Sequence, residues 1–224
     1  MMTSMRGVWP ILLLVLVGCS ESSAPAATPA PATSAPADWT LRGVAADGLS
    51  FRLPPTWVQE GDADRSSQMQ QDPQAMKASQ ETFASVKTAY SAMNGGDRTG
   101  TTFPFMFTLI ILTPKQPQAY GQSLFSTGVA DAKADSPDAD VSGGEVTLPV
   151  GRALRIVTED SASIGSSTAP GSPPRVVAVR DVQYQIPIDG HVYLLDVTGP
   201  KEGAAALDRD ANVIAESFSV KSGG

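Results

Sequence analysis

The distribution of hydrophobic and polar residues divides this chain of 224 residues into three parts. An apolar run occupies residues 8–17, and residues 20–37 are, apart from Glu21, only Ala, Pro, Ser and Thr. From Asp38 to about Lys221, apolar residues recur at intervals typical of strands and helices. We therefore expect a leader over residues 1–18, a disordered tether over 19–37 and a single globular domain over 38–224.

The first part of the domain predicts a strand hairpin followed by a helix. Trp39–Val44 and Leu49–Leu53 flank Ala-Asp-Gly at residues 46–48, a sequence typical of a turn. Asp72 then suits the capping position of a helix and Pro73 its first turn, which predicts a helix over residues 73–93. Five apolar residues recur there at helical spacing: Met76, Phe83, Val86, Tyr90 and Met93.

The middle of the domain predicts a central strand and a second helix. Both faces are apolar in the segment Phe103–Leu112, which favours a strand with neighbours on both sides. A helix is predicted between Pro117 and Ala134, although Gly121 and Gly128 weaken the signal.

The second half predicts paired strands. Glu145–Leu148 and Arg152–Thr158 flank a short turn, and Val176–Ile188 and His191–Val197 flank Asp-Gly, a two-residue hairpin signal. Residues 161–174 are rich in Ser, Gly and Pro and predict a mobile loop. A closing helix carries an apolar stripe of Leu207, Ala211, Ile214 and Phe218. Strands in series with few helices predict an α+β fold, an antiparallel β-sheet with helices packed on it.

The leader has the features of a secretory signal peptide. Arg6 precedes the apolar run, which is about half of the ~20 residues that a membrane-spanning helix needs. Met1, Met2 and Met5 could each begin this leader.

The end of the leader, Leu16-Val17-Gly18-Cys19, resembles the lipobox of bacterial lipoproteins. The resemblance implies that the Cys19 thiol receives a diacylglycerol, that the leader is cut before Cys19, and that the new amine is acylated. Cys19 is the only cysteine in the chain. The alternative is a plain leader that ends in Cys. Several acyl chains would hold the protein firmly on a membrane, whereas one chain binds only marginally.

The tether and the residue after Cys19 bear on location. Ser20 follows the cysteine, and the absence of Asp there resembles lipoproteins of the outer membrane, where the cell has two membranes. Four prolines favour extended polyproline II structure, so the tether could reach roughly 55 Å at ~3.1 Å per residue. It is either a stalk that lets the domain reach a partner or a spacer.

Composition excludes several classes of function. Lys and Arg number 16 and Asp and Glu 23, so the net charge of −7 argues against nucleic acid as a partner. One Cys and one His exclude disulfides within the chain, multi-cysteine zinc sites and His-pair metal sites. No G-x-S-x-G, S-x-x-K, Walker A or G-x-G-x-x-G motif occurs. We therefore expect no metal, no cofactor and no catalysis.

Two sites remain as candidates for chemistry. His191 could serve as acid or base in a secreted hydrolase, or it could be an ordinary hairpin residue. Residues 138–143 match the first half of a calcium loop, with Asp131, Asp135 and Glu145 nearby. The closing Glu of such a loop would fall at Pro149, so residues 131–145 could equally be a solvated acidic loop.

Two further features could serve binding. The arginines on or beside predicted strands could form a basic face for anionic lipid or a partner, or could pair across strands with Glu159, Asp160 or Asp181. These arginines are Arg152, Arg155, Arg175 and Arg180. Trp57 could anchor an interface or fill the core.

Two segments of the domain resemble the PsbP-like superfamily, which includes PsbP, the Mog-type Ran-binding proteins, and the lipoproteins DcrB and LpqN. Phe51-Arg-Leu-Pro-Pro-Thr-Trp57 is similar to its strand, Pro, turn and Trp, although Thr56 stands where Gly is commoner. Tyr193–Pro200, a helix and Ser217–Val220 are similar to its ending. The resemblance implies an α/β/α sandwich. Members mostly bind or organise partners that differ between them, so fold alone assigns no function.

Three functional hypotheses follow. The first is a lipid-anchored, non-catalytic binding or scaffolding module for an unknown protein or lipid of the bacterial envelope. It would face the periplasm or the cell exterior. The second is a carrier of lipid or another small molecule in a hydrophobic cavity between sheet and helices. The third is a secreted hydrolase that uses His191.

Overall fold

The computed structural model describes residues 35–60, 80–94, 103–164 and 175–221. The leader, Cys19 and the tether as far as residue 34 lie outside the described residues. Residues 73–79 of the predicted helix and residues 165–174 of the predicted loop also lie outside them.

A small three-stranded antiparallel sheet contains the first hairpin of the domain. Its strands are β1 (Thr40–Val44), β2 (Leu49–Leu53) and, from the end of the chain, β10 (Ser219–Val220), in the order β1-β2-β10. The turn between β1 and β2 ends at Gly48, whose φ of 64° lies in the left-handed region that favours glycine. The predicted hairpin is confirmed.

A seven-stranded antiparallel sheet forms the centre of the domain. Its strands are β3 (Trp57–Gln59), β4 (Phe83–Asn94), β5 (Met106–Pro114), β6 (Asp140–Leu148), β7 (Gly151–Ile164), β8 (Arg175–Ile188) and β9 (His191–Pro200). They lie in the order β3-β4-β5-β9-β8-β7-β6. The central position predicted for β5 is confirmed, although the strand begins at Met106. β7 extends to Ile164, so residues 161–164 are strand and not loop.

Both predicted hairpins of the second half are confirmed. β6 pairs with β7 across the turn at residues 149–150, and β8 pairs with β9 across Asp189 and Gly190. These two residues have φ values of 48° and 81°. Positive φ at both central positions is what the tight two-residue turn of a twisted hairpin requires, and Asp-Gly tolerates it.

The two helices predicted after residue 110 are also confirmed. They are α1 (Pro117–Asp135) and α2 (Ala204–Ser217), with short 3₁₀ turns at Ala45–Asp47 and Lys201–Gly203. No helix within the described ranges is long and apolar enough to cross a membrane. Antiparallel sheets with helices packed on them confirm the α+β prediction.

The helix predicted over residues 73–93 is wrong for its second half. Residues 80–82 are helical, but β4 begins at Phe83 and pairs with β5. The register shifts twice, between Phe83 and Ser85 and between Thr88 and Tyr90. Each shift inserts one residue and reverses the alternation of faces. The apolar residues of β4 consequently recur at intervals of three and four, which imitates a helix.

Two hydrophobic cores lie on the two faces of the large sheet. The α2-side core lies between this sheet, α2 and the small sheet, and includes Phe51 and Phe218. The α1-side core lies beneath α1 and includes Leu124 and Leu154. α1 lies close to the sheet at Gly128, where an added Cβ would be 2.5 Å from a methyl carbon of Leu154. Alternate residues of β5 belong to alternate cores, as its two apolar faces predicted.

Candidate functional site

A row of polar side chains crosses the centre of the large sheet on its α1 side. Ser91 lies opposite Thr108, Thr108 opposite Asp196, and Asp196 opposite Gln183, so the row spans β4, β5, β9 and β8. All four residues are more than nine-tenths buried. Polar residues at the centre of a sheet are costly to bury unless they are hydrogen-bonded, so this row is a candidate functional feature.

A second polar row lies beside the first on the same face. Thr198 of β9 lies opposite Asp181 of β8, which in turn lies opposite Thr158 of β7. Gln185 follows Gln183 on this face of β8 and is 2% exposed. We call these eight residues the polar strip: Ser91, Thr108, Thr158, Asp181, Gln183, Gln185, Asp196 and Thr198.

Two carboxyl groups meet at one hydroxyl inside the polar strip. The Oγ1 of Thr198 lies 2.8 Å from Oδ1 of Asp181 and 3.1 Å from Oδ1 of Asp196. Burial, and next the neighbouring Asp196 carboxylate, hold the pKa of Asp181 well above its usual range, against the opposing hydrogen bond from Thr198. Strongly shifted carboxyl groups of this kind are concentrated at functional sites, although structural networks also produce them.

No cation balances this pair among the described residues. Neither Asp181 nor Asp196 forms an ion pair with a described Lys, Arg or His. The adjacent Arg180 points to the other face of β8, where its guanidinium donates to Glu159 and Asp208. The pair is therefore an acidic site within a sheet and is not one half of a salt bridge.

Two further contacts mark the ends of the polar strip. At the β4 end, Ser91 donates a hydrogen bond to Oε2 of Glu60 at 2.8 Å. At the β8 end, Nε2 of Gln185 donates to Oε1 of Gln183 at 2.7 Å. The buried Oε1 of Gln185 has no hydrogen-bond partner among the described residues. The β8 end of the strip thus contains an unpaired acceptor.

His191 lies at one end of the large sheet, away from the polar strip. Its Nδ1 is 3.1 Å from Oγ1 of Thr113, to which Ser85 donates at 2.9 Å. A cleft of about 180 Å³, lined by residues 114, 117–118 and 187–192, lies beside it. No carboxylate of the described part of the chain hydrogen-bonds to the ring. The described residues therefore do not assemble a Ser-His-Asp arrangement around His191.

Replacing His191 by Ala is expected to lower the free energy of unfolding by about 1 kcal/mol, the usual net contribution of one hydrogen bond. Urea unfolding of the full-length protein measures this. If the wild-type chain hydrolyses an ester, peptide or glycoside and His191→Ala abolishes that activity without a change in stability, the hydrolase hypothesis replaces the binding hypothesis.

Only residues 136–139 of the acidic stretch proposed for calcium form a loop, between α1 and β6. Residues 140–143 belong to β6, where successive side chains point to opposite faces. Glu145 accepts two hydrogen bonds from Arg152, at 2.5 and 2.6 Å. In the described ranges, no three His, Cys, Asp or Glu residues are grouped so as to hold a metal ion. The calcium interpretation of residues 131–145 therefore has no geometric support there.

The arginines do not share a basic face. Arg152 and Arg155 project from opposite faces of β7, the former over the ring of Phe125 and the latter beside Tyr184. Arg180 pairs across strands with Glu159, as the alternative interpretation predicted. The side chain of Arg175 lies outside the described residues.

Trp57 fills the core and does not anchor an interface. Its side chain is 3% exposed and belongs to the α2-side core. The interpretation as an exposed binding residue is wrong, because the strand end that follows the two prolines directs the indole inward.

Comparison with known proteins gives matches in structure alone. No protein-family model and no curated protein matches the chain. A crystal structure of LpqN, involved in cell envelope biogenesis of Mycobacterium tuberculosis, matches with a TM-score of 0.44 and 15% identity. That match covers 77% of this chain and 82% of LpqN.

Two other solved structures match to a similar degree. The cyanobacterial PsbP (CyanoP) of Synechocystis sp. PCC 6803 has a TM-score of 0.43 and 14% identity, over 83% of this chain and 94% of its own. The Ran-binding protein Mog1p of Saccharomyces cerevisiae has a TM-score of 0.41 and 12% identity, over 81% and 95%. Identities of this size assign no ligand, partner or location to this chain.

Proposed function

We propose that this chain is a lipid-anchored protein of the bacterial cell envelope whose domain is a non-catalytic binding module for an envelope partner. The observation that carries the proposal is the sequence Leu16-Val17-Gly18-Cys19. It places the only cysteine of the chain directly after an apolar leader. The domain faces the periplasm or the cell exterior, and the membrane is the outer one if the cell has two.

The junction between tether and domain suits an anchored module. The backbone N–H of Trp39 donates to the Pro36 carbonyl at 3.0 Å, and the Arg52 guanidinium donates to the Trp39 carbonyl at 3.0 Å. Trp39 itself is buried in the α2-side core. The end of the tether is thus fixed to β2 through Arg52. A lipid on Cys19 would keep the domain within on the order of 50 Å of the bilayer, given ~3.1 Å per extended residue.

A binding module is favoured over a carrier by the packing of the described residues. A lipid carrier needs a hydrophobic cavity between sheet and helices. In the ranges that the structure describes, the apolar side chains between the large sheet and the helices belong to two packed cores, and Phe51, Phe107 and Leu124 are at most 1% exposed. Native mass spectrometry that finds a lipid bound with stoichiometric occupancy would favour the carrier.

Intact-protein mass spectrometry of the full-length protein extracted from membranes tests the anchor. The expected mass is that of residues 19–224 plus a diacylglyceryl group and an amide-linked acyl chain. Cys19→Ser should lose all lipid mass, and Ser20→Ala is the matched control that should keep it. A wild-type mass without lipid would contradict the proposal.

A further inference from the structure

We propose that Asp181 and Asp196 share one proton, as a carboxylic acid hydrogen-bonded beside a carboxylate, and that this pair makes the stability of the domain sensitive to pH. The inference is independent of the lipid anchor, because it concerns only strands β8 and β9. It assigns a role to the part of the polar strip that the proposed binding function leaves unused.

The Thr198 hydroxyl joins the two carboxyl groups. It lies within hydrogen-bond distance of both, yet it carries a single hydrogen. It donates fully to one carboxylate, and it can accept from the other group only if that group is protonated. One proton on the pair therefore satisfies all three groups, whereas two ionised carboxylates leave one oxygen facing a lone pair.

No positive charge compensates the two carboxyl groups within the described residues. Two like charges in a desolvated site repel strongly, and a carboxylate pair of this kind responds by retaining a proton. Other charged groups on the elements packed around the pair are Asp160 on β7 and Asp131, Lys133 and Asp135 in the last turns of α1. Asp131 accepts a hydrogen bond from Thr127, and Asp160 accepts one from the Ser161 N–H.

The direction of the pH dependence follows from linkage. In an unfolded chain, Asp titrates near a pKa of ~3.9. Burial and the Asp196 carboxylate raise the pKa of Asp181 in the folded chain. The stabilisation from this proton is complete below the unfolded pKa and is lost as pH rises through the folded pKa. Between the two values, this pair raises the unfolding equilibrium constant about tenfold per pH unit.

Asn substitutions test the pair because an Asn amide can donate where the shared proton would. Urea unfolding of the full-length protein in a non-ionic detergent, followed by tryptophan fluorescence at a series of pH values, compares the wild type with Asp181→Asn. Surface carboxylates with lowered pKa, such as Glu145 and Glu159, are present in both proteins, so their contributions to the pH dependence of stability cancel in the comparison. Asp160→Asn, a carboxyl on the same face that accepts from the Ser161 N–H, is the matched control.

The measured quantity is the unfolding equilibrium constant of the wild type divided by that of Asp181→Asn. We expect this ratio to be constant at pH values below the pKa of Asp in the unfolded chain. Above that pKa it should grow about tenfold per pH unit, until the pH passes the pKa of Asp181 in the folded chain and the ratio becomes constant again. Asp160→Asn should track the wild type at every pH. Asp196→Asn should show the same pH dependence as Asp181→Asn. The double variant should gain no more stability over the wild type at high pH than either single variant, since one donor satisfies the hydrogen bonds of the pair. A ratio of unfolding constants that does not change with pH would overturn the proposal, and so would stability gains of the two single variants that add up fully in the double variant.

If an Asn variant fails to fold, amide hydrogen exchange of the wild-type protein tests whether Asp181 and Asp196 share a proton. Protection of amides in β8 and β9 should fall more steeply with rising pH, after correction for intrinsic exchange, than protection in β6 and β7. Equal pH dependence in all four strands would contradict a proton held between β8 and β9.

Discussion

Replacing residues 1–19 by a secretory leader that is cleaved before Ser20 is expected to move the protein from the membrane fraction to the soluble fraction almost completely. In this leader-swap variant the domain and the tether are unchanged, and only the acylated cysteine is lost. One acyl chain binds a bilayer marginally, with an association constant on the order of 10⁴ M⁻¹, so firm retention requires the two or more chains that the lipobox implies.

Membrane fractionation followed by immunoblotting measures this distribution. Carbonate and high-salt washes are the controls, because they release proteins held by charge, and at a net charge of −7 the protein has no bulk attraction to anionic lipid. Retention of the leader-swap variant in washed membranes would show that the domain itself binds the membrane and that the lipid is not required for membrane retention.

Truncating Phe51 to Ala is expected to lower the free energy of unfolding by about 3–5 kcal/mol. Phe51 is fully buried, and its ring centroid lies 5.0 Å from that of Tyr90 and 5.2 Å from that of Phe107. It belongs to β2, so its ring joins the small sheet to the large one. A loss of this size is a large share of the ~5–15 kcal/mol that stabilises a typical domain.

Urea unfolding of the full-length protein measures this loss, with Leu41→Ala as the matched control. Leu41 lies on the neighbouring strand β1 but is 61% exposed, so its truncation should change stability by less than about 0.5 kcal/mol. Equal effects of the two substitutions would mean that the small sheet does not dock on the large sheet through Phe51.

The elements that were predicted correctly are those whose signals are local. Asp189 and Gly190 specify a tight turn by their tolerance of positive φ, and the apolar stripe from Leu207 specifies α2 against one face of the sheet. Neither signal depends on which other segments of the chain pair with these residues. β4 was predicted wrongly because its two bulges are consequences of pairing with β5, and a single sequence does not reveal a partner strand.

The polar strip was missed for a related reason. Asp181, Gln183 and Gln185 alternate along β8 with Val182 and Tyr184, and such alternation is typical of a strand with one face in water. Asp181 was accordingly interpreted as a surface partner for arginine. Tertiary structure buries Gln183 and Gln185 and leaves Asp181 half-buried, since β8 lies in the interior of a seven-stranded sheet. The polar residues of the strip lie on five neighbouring strands and are brought together by strand register, which a single sequence does not reveal.

Crosslinking in intact cells tests most directly whether the protein is an anchored binding module. A tagged full-length protein and the leader-swap variant would be expressed at matched levels, crosslinked, purified under denaturing conditions and analysed by mass spectrometry. We expect one dominant envelope partner that is captured by the lipidated protein and lost from the unlipidated one. The same featureless background from both proteins would contradict this expectation.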